Sequence, residues 1–190
     1  MATPAIELTE LIERFGSEDR CHDYLAGLRW PDGVRCPRCD SERIARIKAR
    51  RQFGCDGCRY QFSVRVGTIL HDSKLPLWKW FLAVHMMGES ATGVSANQLK
   101  LVLGVSYKTA WYLCHRIRAA MKGEAATLDG SAIGPYHTLS VKHLPAYRNE
   151  FAFRANNRDN PYLFRDTVLR LIQTDPLRLE ELVHPRSVVE

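Results

Sequence analysis

Leu77, Trp80, Phe81, Val84 and Met87 recur at helical spacing in SKLPLWKWFLAVHMMGES and predict an amphipathic helix with one apolar face, opened by a cap-like Ser73. Trp78 lies off that stripe and is expected to pack against the ribbon or a neighbour. The next stretch, SANQLKLVLGVSYKTAWYLCHRIRAAM, divides at Gly104 into a short helix carrying Leu99, Val102 and Leu103 and a longer one capped by Ser106. Two helices broken at a glycine turn follow helix-turn-helix grammar. In the longer helix Ala110, Leu113, Cys114, Ile117 and Met121 form an inward stripe, while Lys108, Tyr112, His115 and Lys122 share an outward one. Downstream, HLPAYRNEFAFRANNR sets Leu144, Tyr147, Phe151 and Ala155 on one helical face, and PYLFRDTVLRLIQ predicts a further amphipathic helix from near Pro161. The helical period fails between residues 34 and 69, where short β-like segments alternate with turn residues. The expected fold class is therefore α+β, a small ribbon of short antiparallel strands flanked by mainly helical segments. The order is N-terminal helices over 1–33, the ribbon over 34–69 and the helix-turn-helix over 73–122.

Charge sharpens this division. The whole chain of 190 residues carries +6, but residues 1–33 hold 3 basic and 7 acidic side chains (−4), residues 34–122 hold 16 and 5 (+11), and residues 123–190 hold 8 and 9 (−1). A basic middle of this size attracts polyanions by counterion release, and nucleic acid is the commonest such partner; a solvated basic face is the plainer alternative. The opening MATPAIELTELIERF is acidic and amphipathic, unlike a secretory signal, and no apolar run approaches the roughly 18 residues of a membrane span. The chain is expected in a reducing cytoplasm, where cysteines serve as metal ligands or core residues.

Cys36-Pro37-Arg38-Cys39 is followed, after fifteen residues, by Cys55-Asp56-Gly57-Cys58. Each Cys-x-x-Cys presents two thiolates on one tight turn, and two turns complete a tetrahedron around zinc with no position left for a catalytic water. A redox dithiol would instead sit beside a βαβ pattern, which is absent. Zinc is thus the expected cofactor, in a structural role. Arg35, Arg38, Arg43, Arg46, Lys48, Arg50, Arg51, Arg59 and Arg65 surround the site, either to lie along phosphates or to keep a small module soluble. Cys21 and Cys114 sit in helical patterns and read as buried thiols.

An α-helix fits the DNA major groove, with its N-terminal residues nearest base edges and later basic residues on phosphates. Tyr107, Lys108, Thr109 and Tyr112 are the base-reading candidates. His115, on the same outward face, joins them as a DNA contact, with Arg116 and Arg118 as positioning contacts.

The segments RWPDGVRCPRC, GTILHDSKLPLWKWFLAVHMM, LGVSYKTAWYLCHRIRAAM and GPYHTLSVKHLPAYRNEFAFRANNR, in this order, resemble bacterial insertion-sequence transposases of the ISXO-like group from about Asp19 to Arg158. The resemblance implies a zinc ribbon held by Cys36, Cys39, Cys55 and Cys58 and DNA-binding helices over Ser95 to Met121. It also implies a ribonuclease H-like catalytic domain in which three acidic residues hold two divalent metals. Double-stranded DNA at the element's terminal inverted repeats is the implied partner, with intact transposase subunits as a second.

The chain departs from that pattern at LDGSAIGPYHTLSVKH. Leu128-Asp129-Gly130 resembles the lead into the strand bearing the first catalytic acid, and Gly134 to His137 resembles the segment behind the third. Only Ser131, Ala132 and Ile133 lie between. The reading is an in-frame loss of the catalytic middle, with a junction over 123–136 and a helical remnant over 137–190. Two-metal chemistry needs several carboxylates converging on ions roughly 4 Å apart. Asp129, Glu150, Asp159 and Asp166 read instead as stray acids, solvated or paired with arginines. The expected function is DNA binding without catalysis; the alternative is an active recombinase, alone or with a partner supplying the acids.

Overall fold

The computed structural model describes residues 6–90, 93–123 and 141–183. Helices α1 (Leu8–Phe15) and α2 (Glu18–Arg29) meet at a turn in which Ser17 Oγ caps α2 by accepting from the Arg20 amide at 3.3 Å. Strands β1 (Ile44–Ile47), β2 (Gln52–Cys55) and β3 (Gln61–Phe62) then form an antiparallel sheet in sequence order, with Ile44 opposite Cys55 and Phe53 opposite Phe62. Because Phe53 and Phe62 are directly opposed they share one face, and the Trp30 ring at the end of α2 closes over both at 5.5 and 6.0 Å. The ribbon core is small: Phe53 and Phe62 are buried together with two of the knuckle cysteines, Cys36 and Cys55.

The larger core gathers around α3 (Leu77–Glu89), whose Leu77, Trp80, Phe81, Val84 and Met87 are all buried, as their spacing predicts. Helices α4 (Ala96–Leu103), α5 (Tyr107–Ala120), α6 (Leu144–Asn156), α7 (Leu163–Gln173) and α8 (Leu179–Val183) follow. Phe164 of α7 packs on Phe15, Tyr24 and Phe81 with ring centroids 5.5, 6.4 and 5.5 Å away. The C-terminal helices thus bury their apolar face in the same core as the N-terminal ones.

Two local expectations change. Helix α3 begins after Pro76, not at Ser73; the Ser73 hydroxyl accepts from Trp80 Nε1 at 3.1 Å and from the Leu75 amide at 3.3 Å. The α3 amide end is satisfied from α2 instead: Glu18 Oε2 accepts from the Leu77 amide and Glu18 Oε1 from Arg65 Nη2, both at 2.6 Å. One carboxylate therefore ties α2, the ribbon's exit and the α3 N-terminus together, where negative charge also suits the helix dipole. Replacing Glu18 with Ala is expected to cost about 2 kcal/mol, read as a lowered urea midpoint with unchanged slope.

The buried face of α6 is also rotated from the predicted one. Leu144 and Ala155 are exposed, whereas Glu150, Phe153 and Arg154 face inward. Apolar periodicity cannot register that the surface α6 meets contains a buried guanidinium, Arg118, which takes Glu150 as its partner.

Candidate metal centre and nucleic-acid interface

The Sγ atoms of Cys36, Cys39, Cys55 and Cys58 all lie within 4.8 Å of one another, with Cys36–Cys58 and Cys39–Cys55 each at 3.6 Å. Around zinc at about 2.3 Å per thiolate, a regular tetrahedron has edges of about 3.8 Å, so the four donors fit such an ion with little movement. The two knuckles are built alike. The amide of Asp40 donates to the Cys36 carbonyl at 2.9 Å, and that of Arg59 to the Cys55 carbonyl at 2.8 Å. Asp40 and Arg59 both adopt left-handed φ, 56° and 58°, which turns the chain sharply after each pair. The knuckles press together at Gly57, where a Cβ would sit 3.2 Å from Ser41 Cβ and Oγ.

Amides of Cys58 and, more weakly, Gly57 draw Cys55 down to about 6. Cys39 has the Ser41 amide favouring its thiolate, yet hydrogen bonding with Cys58 and Cys55 pushes it up to about 12. Such a cluster resists full ionisation by itself, and a divalent cation among the sulfurs removes that conflict. Four protein ligands make the site structural. Among the described residues, this quartet is the one grouping of side chains arranged to hold a metal ion.

Acids of α2 cover part of the ribbon's basic surface. Arg46 pairs with Asp23, Arg51 with Asp19 and Arg65 with Glu18, while Arg35 pairs with Glu42 and Asp40 inside the ribbon. The negative N-terminal segment thus partly neutralises the module it supports. Arg43, Lys48, Arg50 and Arg59 remain exposed, and Arg38 lies over the Tyr60 ring at 5.8 Å.

The pair α4 and α5 follows the predicted breaks. Ser95 and Gln98 form a reciprocal capping box, with bonds of 3.2 and 2.8 Å, and Gly104 takes φ 59° to close α4. Ser106 Oγ then caps α5 through the Thr109 amide at 3.1 Å. Tyr107, Lys108 and Thr109 are exposed on the first turn, as a reading position requires. Tyr112 is half-buried, its hydroxyl donating to the Leu177 carbonyl at 2.7 Å, a contact from the C-terminal segment that nothing in the sequence announces.

The other three DNA-contact candidates do not lie on the exposed outer face expected of them. His115, Arg116 and Arg118 are at most 3% exposed. From Leu113 to Arg118 every residue is buried, more than a full turn, so this part of α5 presents no exposed face, although Leu113 and Arg116 border a cleft. His115 packs at a tilt against Trp111 at 4.2 Å and His143 at 4.7 Å; burial, Arg118 and His143 drive its pKa down to about 3, leaving a neutral imidazole. Arg118 Nε donates to Glu150 Oε2 at 2.5 Å and its Nη2 to the Val94 carbonyl at 3.2 Å. Arg116 Nη2 donates to the His71 carbonyl at 2.8 Å between the Trp80 and Tyr112 rings. The outward stripe holds at Lys108 and again at Lys122 but not at His115 between them, because α6 and the chain around His71 cover the middle of the helix.

Of the stray acids, Glu150 is buried between Arg118 and Arg154, Asp166 bonds Arg165 and Asn160, and Asp159 is exposed. Asp129 and the rest of the junction lie outside the described residues. No helix among the described residues is long and apolar enough to cross a membrane.

Residues 16–61 match the transposase zinc-ribbon domain of the IS1595 group, a span that holds the four knuckle cysteines, the first two strands and the first residue of the third. The chain carries a transposase zinc ribbon. The "Uncharacterized protein in transposable element ISH50" of Halobacterium salinarum is 35% identical over 122 residues, which cover 63% of this chain and 41% of that protein. The chain therefore spans about two fifths of the length of this relative. No solved structure matches. Both similarities agree with the resemblance to insertion-sequence transposases, and they identify the four-thiolate centre of this transposase ribbon as a structural zinc site.

Proposed function

We propose that this chain is a DNA-binding member of the insertion-sequence transposases that recognises element ends without cutting or joining strands. The observation that carries the reading is a transposase zinc ribbon followed by a helix pair whose second member, α5, exposes Tyr107, Lys108 and Thr109 on its first turn. That turn enters the major groove, Tyr107 and Thr109 meet base edges, and the exposed arginines of the ribbon hold flanking phosphates. The terminal inverted repeats are the target, and intact transposase subunits are the protein partner. The absence of catalysis follows from the junction at Leu128 to His137 and from the use of Glu150 and Asp166 in ion pairs.

Gel-shift titration of the terminal repeats is expected to show binding that a zinc chelator abolishes, with no nicked product in Mg²⁺ or Mn²⁺. Changing Tyr107 to Ala is expected to weaken the specific complex about tenfold while leaving the melting temperature unchanged. Strand cleavage by the purified chain would overturn the non-catalytic reading, and equal affinity for unrelated duplexes would overturn the recognition of element ends.

A further inference from the structure

Three arginines are buried among the described residues, and two of them, Arg118 and Arg154, have the Glu150 carboxylate beside them. Arg116 has none. It is 3% exposed, it bonds one neutral carbonyl, and its Nε has no hydrogen-bond partner. A buried guanidinium without an ion-pair partner is costly, and the flanking rings of Trp80 and Tyr112 offset only part of that cost.

Arg116 lines a cleft of about 490 Å³ between residues 72–75 and the first half of α5. Lys74 and Lys108 stand at its mouth, both exposed, and Thr109 adds a hydroxyl at the N-terminal end of a 14-residue helix. Asp72 also lines the rim, exposed and with His71 Nε2 at 3.4 Å; its carboxylate acts on Arg116 through space without forming an ion pair with it. Two lysines, a helix N-terminus and a buried guanidinium that forms no ion pair converge on one space.

We propose that this cleft binds a phosphate group, with Arg116 as the buried anchor and Lys74 and Lys108 as the outer contacts. The inference rests on the DNA-binding reading only for the source of the ligand: a backbone phosphodiester of the duplex held by α5, set there as the first turn enters the groove. Lys74, outside the helix pair, thereby becomes part of the interface. A free phosphate ion offers the same chemistry.

The test uses the full chain and the paired variant Lys74→Ala with Lys108→Ala, since both lysines are exposed and their loss spares the core. Thermal unfolding in about 20 mM inorganic phosphate, against chloride at equal ionic strength, is expected to shift the melting point up by about 2 °C in the parent protein and not in the variant. Duplex binding measured against salt is expected to be about tenfold weaker or more in the variant, its log–log slope shallower by about 2. A phosphate shift without a change in slope supports the cleft and makes free phosphate its ligand. A phosphate shift in a protein that binds no DNA supports the cleft and refutes the DNA reading. No phosphate-specific shift, or an equal shift in the variant, overturns the proposal.

Discussion

Withdrawing the metal will unfold the ribbon and leave the helical core standing. The ribbon's own core consists of Phe53, Phe62, Cys36 and Cys55, so two of its four buried side chains are ligands that lose their reason to converge once the ion leaves. Metal binding contributes on the order of 10–16 kcal/mol in small zinc-binding peptides, more than two phenylalanines can supply by burial at roughly 1.5–3 kcal/mol each. The main core draws on α1, α2, α3, α5 and α7 and contains none of the knuckle residues. Elemental analysis should find about one zinc per chain, as four closed ligands require. After chelation, limited proteolysis should cut within residues 34–62 while most of the far-ultraviolet helical signal persists. Cys39→Ser should reproduce this without chelator. A chelated protein whose ribbon resists protease would show that the phenylalanines and Trp30 hold the sheet unaided.

The parts of this molecule that were legible in the sequence are those governed by local rules. Two Cys-x-x-Cys pairs announce a tetrahedral site because tight turns and thiolate chemistry are properties of a few adjacent residues. The α3 stripe is legible because all five of its apolar residues face one core, and Gly104 and Ser106 mark helix ends by their own conformational and capping preferences. Long-range polar choices were hidden. Glu18 caps α3 from 59 residues away, and Glu150 meets Arg118 across 32. A helical wheel assigns charged residues to solvent by default, which puts His115 on the outward stripe and makes phosphate contacts of Arg116 and Arg118, although neighbouring elements cover all three. The same default turned α6 toward Leu144 and away from Glu150. For Arg118 and Glu150 a polar side chain is buried because a distant partner is available, and one sequence does not state its partners.

Replacing Glu150 with Gln should be among the most destabilising single changes outside the metal site. The Arg118 and Glu150 side chains are 2% and 1% exposed and meet at 2.5 Å, and the guanidinium also lies over the Tyr147 ring at 4.0 Å. Breaking a buried pair from one side leaves a charge with neither water nor counterion, a loss of about 3–5 kcal/mol. In a chain of this size that corresponds to a melting point lower by roughly 10 °C. Arg154, whose Nη2 lies 3.7 Å from Glu150 Oε1, loses a partner in the same change and keeps its bond to the Ser90 carbonyl at 2.5 Å. Removing both charges has a different effect: Arg118→Met with Glu150→Leu should recover most of the loss, because the desolvation of two ions disappears along with their attraction. A double-mutant cycle by urea unfolding separates the two cases. A single-variant loss below about 1 kcal/mol would mean that water reaches the pair. A double variant as unstable as the sum of its singles would mean that packing, not charge, joins the helices. The pair links α5 to α6, the elements on either side of the junction, so the predicted coupling makes the chain beyond that junction a working part of the fold.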